Sequence, residues 1–131
     1  ENFEILQDVL GQVMRALIDL AEAGFMHGDV KTLNVMLTPH DDKGEIIDDY
    51  DDGVHFYTVK LIDFGSAQQY DESGSIDELR AVTEGHVDVQ EVVRLYDVAN
   101  HRAVSKINGF LADAYAWSAT ATHVFRDVFF P

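Results

Sequence analysis

The sequence predicts a mainly α chain with a few short β hairpins. Three observations carry that expectation. Phe3, Leu6, Leu10, Val13, Met14, Leu17, Leu20 and Ala21 recur at three- and four-residue steps, the spacing of one apolar helix face. Residues 113–125 form a second run, rich in alanine, that suits a helix packed closely on several sides. Between them, Val35-Met36-Leu37 and Lys60-Leu61-Ile62 are apolar runs of strand length.

Composition narrows the class. A chain of 131 residues fits one domain, large enough to bury roughly two-thirds of its unfolded surface. A hydrophobic content of 47%, with eight Phe and one Trp, excludes a disordered chain. With no cysteine there is no disulfide framework and no thiolate metal site. No apolar run approaches the roughly 20 residues a membrane helix needs, and Glu1-Asn2-Phe3-Glu4 does not resemble a signal peptide. The expectation is a soluble protein, cytoplasmic or secreted, with the compartment left open. Acidic residues outnumber basic ones 24 to 9, giving a net charge of −15. Such a surface repels nucleic acid. It steers basic substrates or partners inward, or simply keeps the chain in solution.

In chain order, the helical pattern runs over residues 3–23, and Gly24 stands where a C-terminal cap belongs. Next comes Phe25-Met-His-Gly-Asp-Val-Lys-Thr-Leu-Asn-Val-Met-Leu37, which reads H-G-D-x-K-x-x-N and then turns apolar. Further on, Val59-Lys-Leu-Ile-Asp-Phe-Gly65 is an apolar strand ending in D-F-G. Three residues alone are weak, but the two patterns in this order, each beside a short strand, are specific. Together they resemble the catalytic loop and the metal-binding loop of eukaryotic-type protein kinases.

The resemblance implies a partial protein-kinase-like C-lobe over residues 1–131, from the helix before the catalytic loop to the central buried helix. The N-lobe is absent from this chain. Its segments would be a catalytic loop at 25–37, an acidic insertion at 38–58, a metal loop at 63–65, an activation segment at 66–91 and a central helix at 113–125. The implied activity is transfer of the γ-phosphoryl group of ATP, with Mg²⁺, to Ser or Thr hydroxyls of a protein substrate. Asp29 would be the base that takes the alcohol proton. Lys31 would neutralise the γ-phosphate, and its identity leans toward Ser/Thr acceptors. Asn34 and Asp63 would hold Mg²⁺, a hard cation that prefers oxygen ligands. Met36 would lie under the adenine ring, where a thioether suits a flat apolar face; an ordinary core methionine is the alternative. Asp113 would accept backbone N–H bonds from the catalytic loop. His27 would be structural, stacked with Phe64.

Two alternatives stand beside this reading. One is a kinase-derived, non-catalytic binding module. It draws on the missing Gly-rich loop and strand lysine of an N-lobe, without which this chain alone is expected to be inactive. The other is a small-molecule kinase of related fold, in which the H-G-D form is common. Gly28 departs from the arginine that reads an activation-loop phosphate in many kinases.

The remaining stretches are less specific. Asp42-Lys43-Gly44 is a turn signal. The run Asp48-Asp49-Tyr50-Asp51-Asp52-Gly53 fails as a calcium loop, because Tyr50 and Val59 fall where oxygen ligands are needed. It reads as a solvated insertion. Ser66, Tyr70, Ser73, Ser75 and Thr83 are candidate phosphorylation sites. Glu91 aligns weakly with the glutamate of a kinase A-P-E motif. Val92, Val93, Leu95 and Tyr96 suggest a short helix, and Asn108-Gly109 a turn. Phe129 and Phe130 are expected to be exposed apolar residues.

Overall fold

The computed structural model describes residues 2–48, 53–76 and 107–130. Helix α1 (Asn2–Glu22) is followed by β1 (Phe25–Met26), a 3-10 turn (Thr32–Asn34), β2 (Val35–His40) and β3 (Phe56–Leu61). Then come β4 (Gln68–Gln69), β5 (Ser75–Ile76), β6 (Ile107–Asn108) and helix α2 (Gly109–Phe129). The strands form three antiparallel pairs, β1–β4, β2–β3 and β5–β6.

Helix α1 buries the middle of the stripe that its periodicity marks, at Val13 and Leu17, and leaves Phe3 exposed. Val13 and Leu17 pack with Val30 and Ala116, and Leu20, Val35, Val59, Leu61 and Trp117 close around them. The two helices run antiparallel. Phe3 meets Phe129 with ring centroids 6.1 Å apart, and the Trp117 indole N–H donates to the Leu10 carbonyl at 3.1 Å. A smaller cluster joins Met26 and Ile76 to Tyr70 and Ala112. Helix α1 stops at Gly24, whose φ of 87° lies in the left-handed region where a side chain is disfavoured.

The β2–β3 ladder pairs Val35 with Leu61 at the site end and His40 with Phe56 at the far end. The Gln12 side chain covers the outer edge of β3 as a neighbouring strand would. Its Nε2 donates to the Tyr57 carbonyl at 2.7 Å, and its Oε1 accepts the Val59 N–H at 3.0 Å. Gln12→Ala is therefore expected to lower the unfolding free energy by about 1–2 kcal/mol, because both edge groups lose their partner. Urea denaturation measures this, and an unchanged midpoint would mean that water replaces the amide without loss.

The mainly α, kinase C-lobe class expected from the sequence does not hold. Two helices share the described residues with six strands in three small sheets, an α+β arrangement rather than a helical lobe. The apolar runs at 35–37 and 60–62 underestimate their strands. The insertion does not leave the ladder after Leu37 but continues it through Thr38, Pro39 and His40 against Phe56, Tyr57 and Thr58. Polar residues in the arms hid this extension.

Part of the insertion is an ordered turn. Asp41 Oδ1 accepts the Lys43 and Glu45 N–H groups, both at 2.9 Å, and Gly44 takes a φ of 81°. The expected turn at Asn108-Gly109 is instead the junction of β6 and α2. Helix α2 begins at Gly109, ahead of Asp113, rather than at Asp113 itself. The helix suggested at Val92–Tyr96, Thr83 and the alignment at Glu91 lie outside the described residues. Among the described residues, no helix is long and apolar enough to cross a membrane.

Candidate active site

The H-G-D-x-K-x-x-N loop and the D-F-G turn meet at the site end of the β2–β3 ladder. One step beyond the Val35–Leu61 pair, the Ile62 N–H donates to the Asn34 carbonyl at 2.9 Å. Asn34 and Asp63 thereby leave the same end of the hairpin. His27, buried completely, ties the loop to this junction from below, with its Nε2 2.8 Å from the Ile62 carbonyl. Its Nδ1 accepts the Asp29 N–H at 3.1 Å. These two bonds together require the tautomer with hydrogen on Nε2. The His27 ring also meets Phe64 edge-on, centroids 4.9 Å apart. His27 is thus a bracket between loop and turn.

Asp113, on the second turn of α2 and 3% exposed, holds the loop from the other side. Its Oδ2 accepts the His27 N–H at 2.7 Å and its Oδ1 accepts the Gly28 N–H at 2.9 Å. Burial pushes the Asp113 carboxyl above its ordinary value; these two backbone donors pull it back.

Three of the sequence-predicted residues touch one another. Asn34 donates from Nδ2 to the Asp29 carbonyl at 2.8 Å and to Asp29 Oδ2 at 3.1 Å. The Lys31 ammonium lies 3.6 Å from the same Oδ2. With its amide hydrogens committed to Asp29, Asn34 offers its carbonyl oxygen to a cation. Asp63 is exposed and has a φ of 59°, a left-handed conformation that Asp tolerates better than most residues. Its Oδ1 accepts the Gly65 N–H at 3.2 Å, a local bond that holds the turn. Met36 is 56% exposed on β2, so it is not a core methionine. Leu33, beside Asn34, is 78% exposed.

The donor set suits Mg²⁺. An amide oxygen and a carboxylate are hard ligands, and Mg²⁺ characteristically takes one or two carboxylates with substrate phosphates and water. Among the described residues, no three His, Asp or Glu side chains converge on an ion by themselves.

Gly28, Tyr70 and Gly109 stand out in the sequence, but the contacts they make at the site do not. A Cβ on Gly28 would strike the Ser66 carbonyl oxygen, and one on Gly109 would strike the Tyr70 ring. Tyr70 donates its backbone N–H to the Gly24 carbonyl at 2.7 Å, while its hydroxyl is shielded from water and has no partner among the described residues. Burial, and then the negative charge of Asp113, push this phenol up to about 12. Shielding also removes the Tyr70 hydroxyl from the groups open to phosphorylation in this conformation. Tyr70→Phe is expected to leave thermal stability unchanged or higher by up to about 1 kcal/mol, since it deletes an unsatisfied buried group. A fall in melting temperature would show that the hydroxyl has a partner in solution. Ser73 is exposed and donates its hydroxyl to Asp71 Oδ1 at 2.7 Å.

No family model, curated protein or solved structure matches this chain.

Proposed function

We propose that the chain carries the catalytic groups of a serine/threonine protein kinase. The observation that supports this most is the contact group of Asp29, Lys31 and Asn34, tied by the Asn34–Ile62 backbone bond to the turn that carries Asp63. Phosphoryl transfer asks for this set: an oriented carboxylate, a fixed cation and oxygen ligands for a metal.

In the proposed reaction the acceptor hydroxyl attacks the γ-phosphorus of ATP. The new O–P bond forms as the bond to the β-bridging oxygen breaks, and ADP leaves with that electron pair. Asp29 takes the hydroxyl proton, held in place by the Asn34 amide and the Lys31 ammonium. Lys31, adjacent to that carboxylate, offsets charge on the transferring group. Asn34 Oδ1 and the Asp63 carboxylate would hold Mg²⁺, which would offset charge on the phosphate oxygens. Met36 and Leu33 offer exposed apolar surface beside these polar groups, suited to the adenine ring. The strongly acidic chain favours a basic protein substrate by long-range attraction.

The test is labelled-phosphate transfer from Mg-ATP to a basic protein and, separately, to a mixture of small alcohols and amines, using the longest natural form of the protein. Label on Ser or Thr of the protein is the expected result. Label confined to small molecules would replace this reading with a metabolite kinase. No label on any acceptor, with folding confirmed, would replace it with a binding module.

A further inference from the structure

We propose that Gly28 is a positioning residue whose missing side chain seats the Ser66 backbone, and that this seat holds Asp63 and Phe64 against the Asp29 loop. The proposal rests on the phosphotransferase reading of the site and names what keeps its two loops in register.

Both sides of the contact are fixed. Gly28 has a φ of 86°, and its N–H is held by Asp113 Oδ1 at 2.9 Å, so the loop cannot draw back. A Cβ at this position would collide with the Ser66 carbonyl oxygen and lie 3.1 Å from its carbonyl carbon. Ser66 cannot draw back either. The next residue, Ala67, donates its N–H to the Phe64 carbonyl at 3.0 Å. Gln68 and Gln69 then pair with Met26 and Phe25, and Tyr70 bonds to Gly24. Asp63 and Phe64 are two and three positions before Ser66 in this tied run, so moving the Ser66 backbone moves them. The contact depends on backbone atoms and the absence of a side chain. It uses no charged group on residues 66–70, so a phosphate on that stretch has no role in forming it.

Gly24 supplies an internal control. Its φ of 87° equals that of Gly28 within a degree, yet a Cβ there meets nothing within 4 Å. Gly24→Ala therefore introduces the backbone strain without the collision. Native-state hydrogen exchange of residues 64–67, away from the Tyr70 bond to Gly24, is expected by mass spectrometry to be about tenfold faster in Gly28→Ala than in Gly24→Ala. The Gly28→Ala variant should also show a raised KM for Mg-ATP, as Asp63 moves. Equal exchange in the two variants would overturn the proposal, because strain alone would then explain the effect.

The unmodified chain gives a second reading should Gly28→Ala fail to fold. The Gly28 and Ala67 amides are expected to exchange with the same opening free energy, as one unit; Ala67 exchanging far faster than Gly28 would overturn the proposal. Exchange does not depend on catalysis, so loss of the kinase reading and loss of the seat are separate outcomes.

Discussion

Asp113→Ala is expected to lower the unfolding free energy by about 3 kcal/mol, because two N–H groups lose their acceptor at once and each costs roughly 1–3 kcal/mol unpaired. Those groups belong to His27 and Gly28, and His27 is fully buried, with no water to take over. Against a typical total of about 5–15 kcal/mol, this is a large loss. The loop that carries Asp29 should loosen with it.

Asp113→Asn separates charge from shape. Its amide oxygen can accept one N–H, but its NH₂ faces the other donor, so one bond is replaced by a repulsion. It also removes a pH dependence. Because burial holds the Asp113 carboxyl above its ordinary value, the folded chain keeps this proton after the unfolded chain has lost it. Stability from this group is therefore greatest below the ordinary carboxylate range, falls as pH rises through the raised folded value, and is level above it. Denaturant titrations of both proteins between about pH 3 and 7 should show the wild type losing stability relative to the Asn variant as pH rises. A constant difference between them would mean that Asp113 titrates alike in both states.

The second large effect is a split between chemistry and metal binding. Asp29→Asn is expected to cut the rate of phosphoryl transfer by about 10²–10⁴-fold, the range general-base catalysis contributes, with Mg-ATP affinity little changed. Asp63→Ala is expected to weaken Mg-ATP binding and remove the advantage of Mg-ATP over ATP alone, since one of the two proposed ligands is gone. Calorimetric titration with ATP, with and without Mg²⁺, separates the two. If Asp29→Asn abolished nucleotide binding, or Asp63→Ala left Mg-ATP binding intact, the two roles would have to be reassigned.

What the sequence made legible was local. The three- and four-residue spacing of Leu6, Leu10, Val13 and Leu17 is imposed by helix geometry within α1 itself, so it can be read without the rest of the fold. The loop signature was legible for a similar reason: His27, Asp29, Lys31 and Asn34 lie in one short stretch and bond to one another or to the adjoining turn. What escaped depends on distant partners. Gln12 reaches Val59 across 47 positions, and nothing in a glutamine on a helix marks it as the edge of a sheet. Gly28 was visible as an oddity in its motif, but the reason, the Ser66 carbonyl, lies outside that motif. The length of β2 and β3 was hidden because Thr38, His40 and Thr58 interrupt the apolar pattern. Cross-strand pairing, including the His40 Nε2 contact with Thr58 Oγ1 at 3.0 Å, sustains the ladder there. This extension, together with the β1–β4 and β5–β6 pairs, supplies the strand that the mainly α expectation lacked.

The most direct measurement is single-turnover transfer of the γ-phosphate from Mg-ATP, made on the longest natural form of the protein beside its Asp29→Asn variant. A burst of phosphorylated Ser or Thr is expected from the wild type, and at least about a hundredfold slower transfer from the variant. Equal rates from the two folded proteins would contradict the assignment of Asp29 as the base, and with it the reading of this loop as a phosphoryl-transfer site.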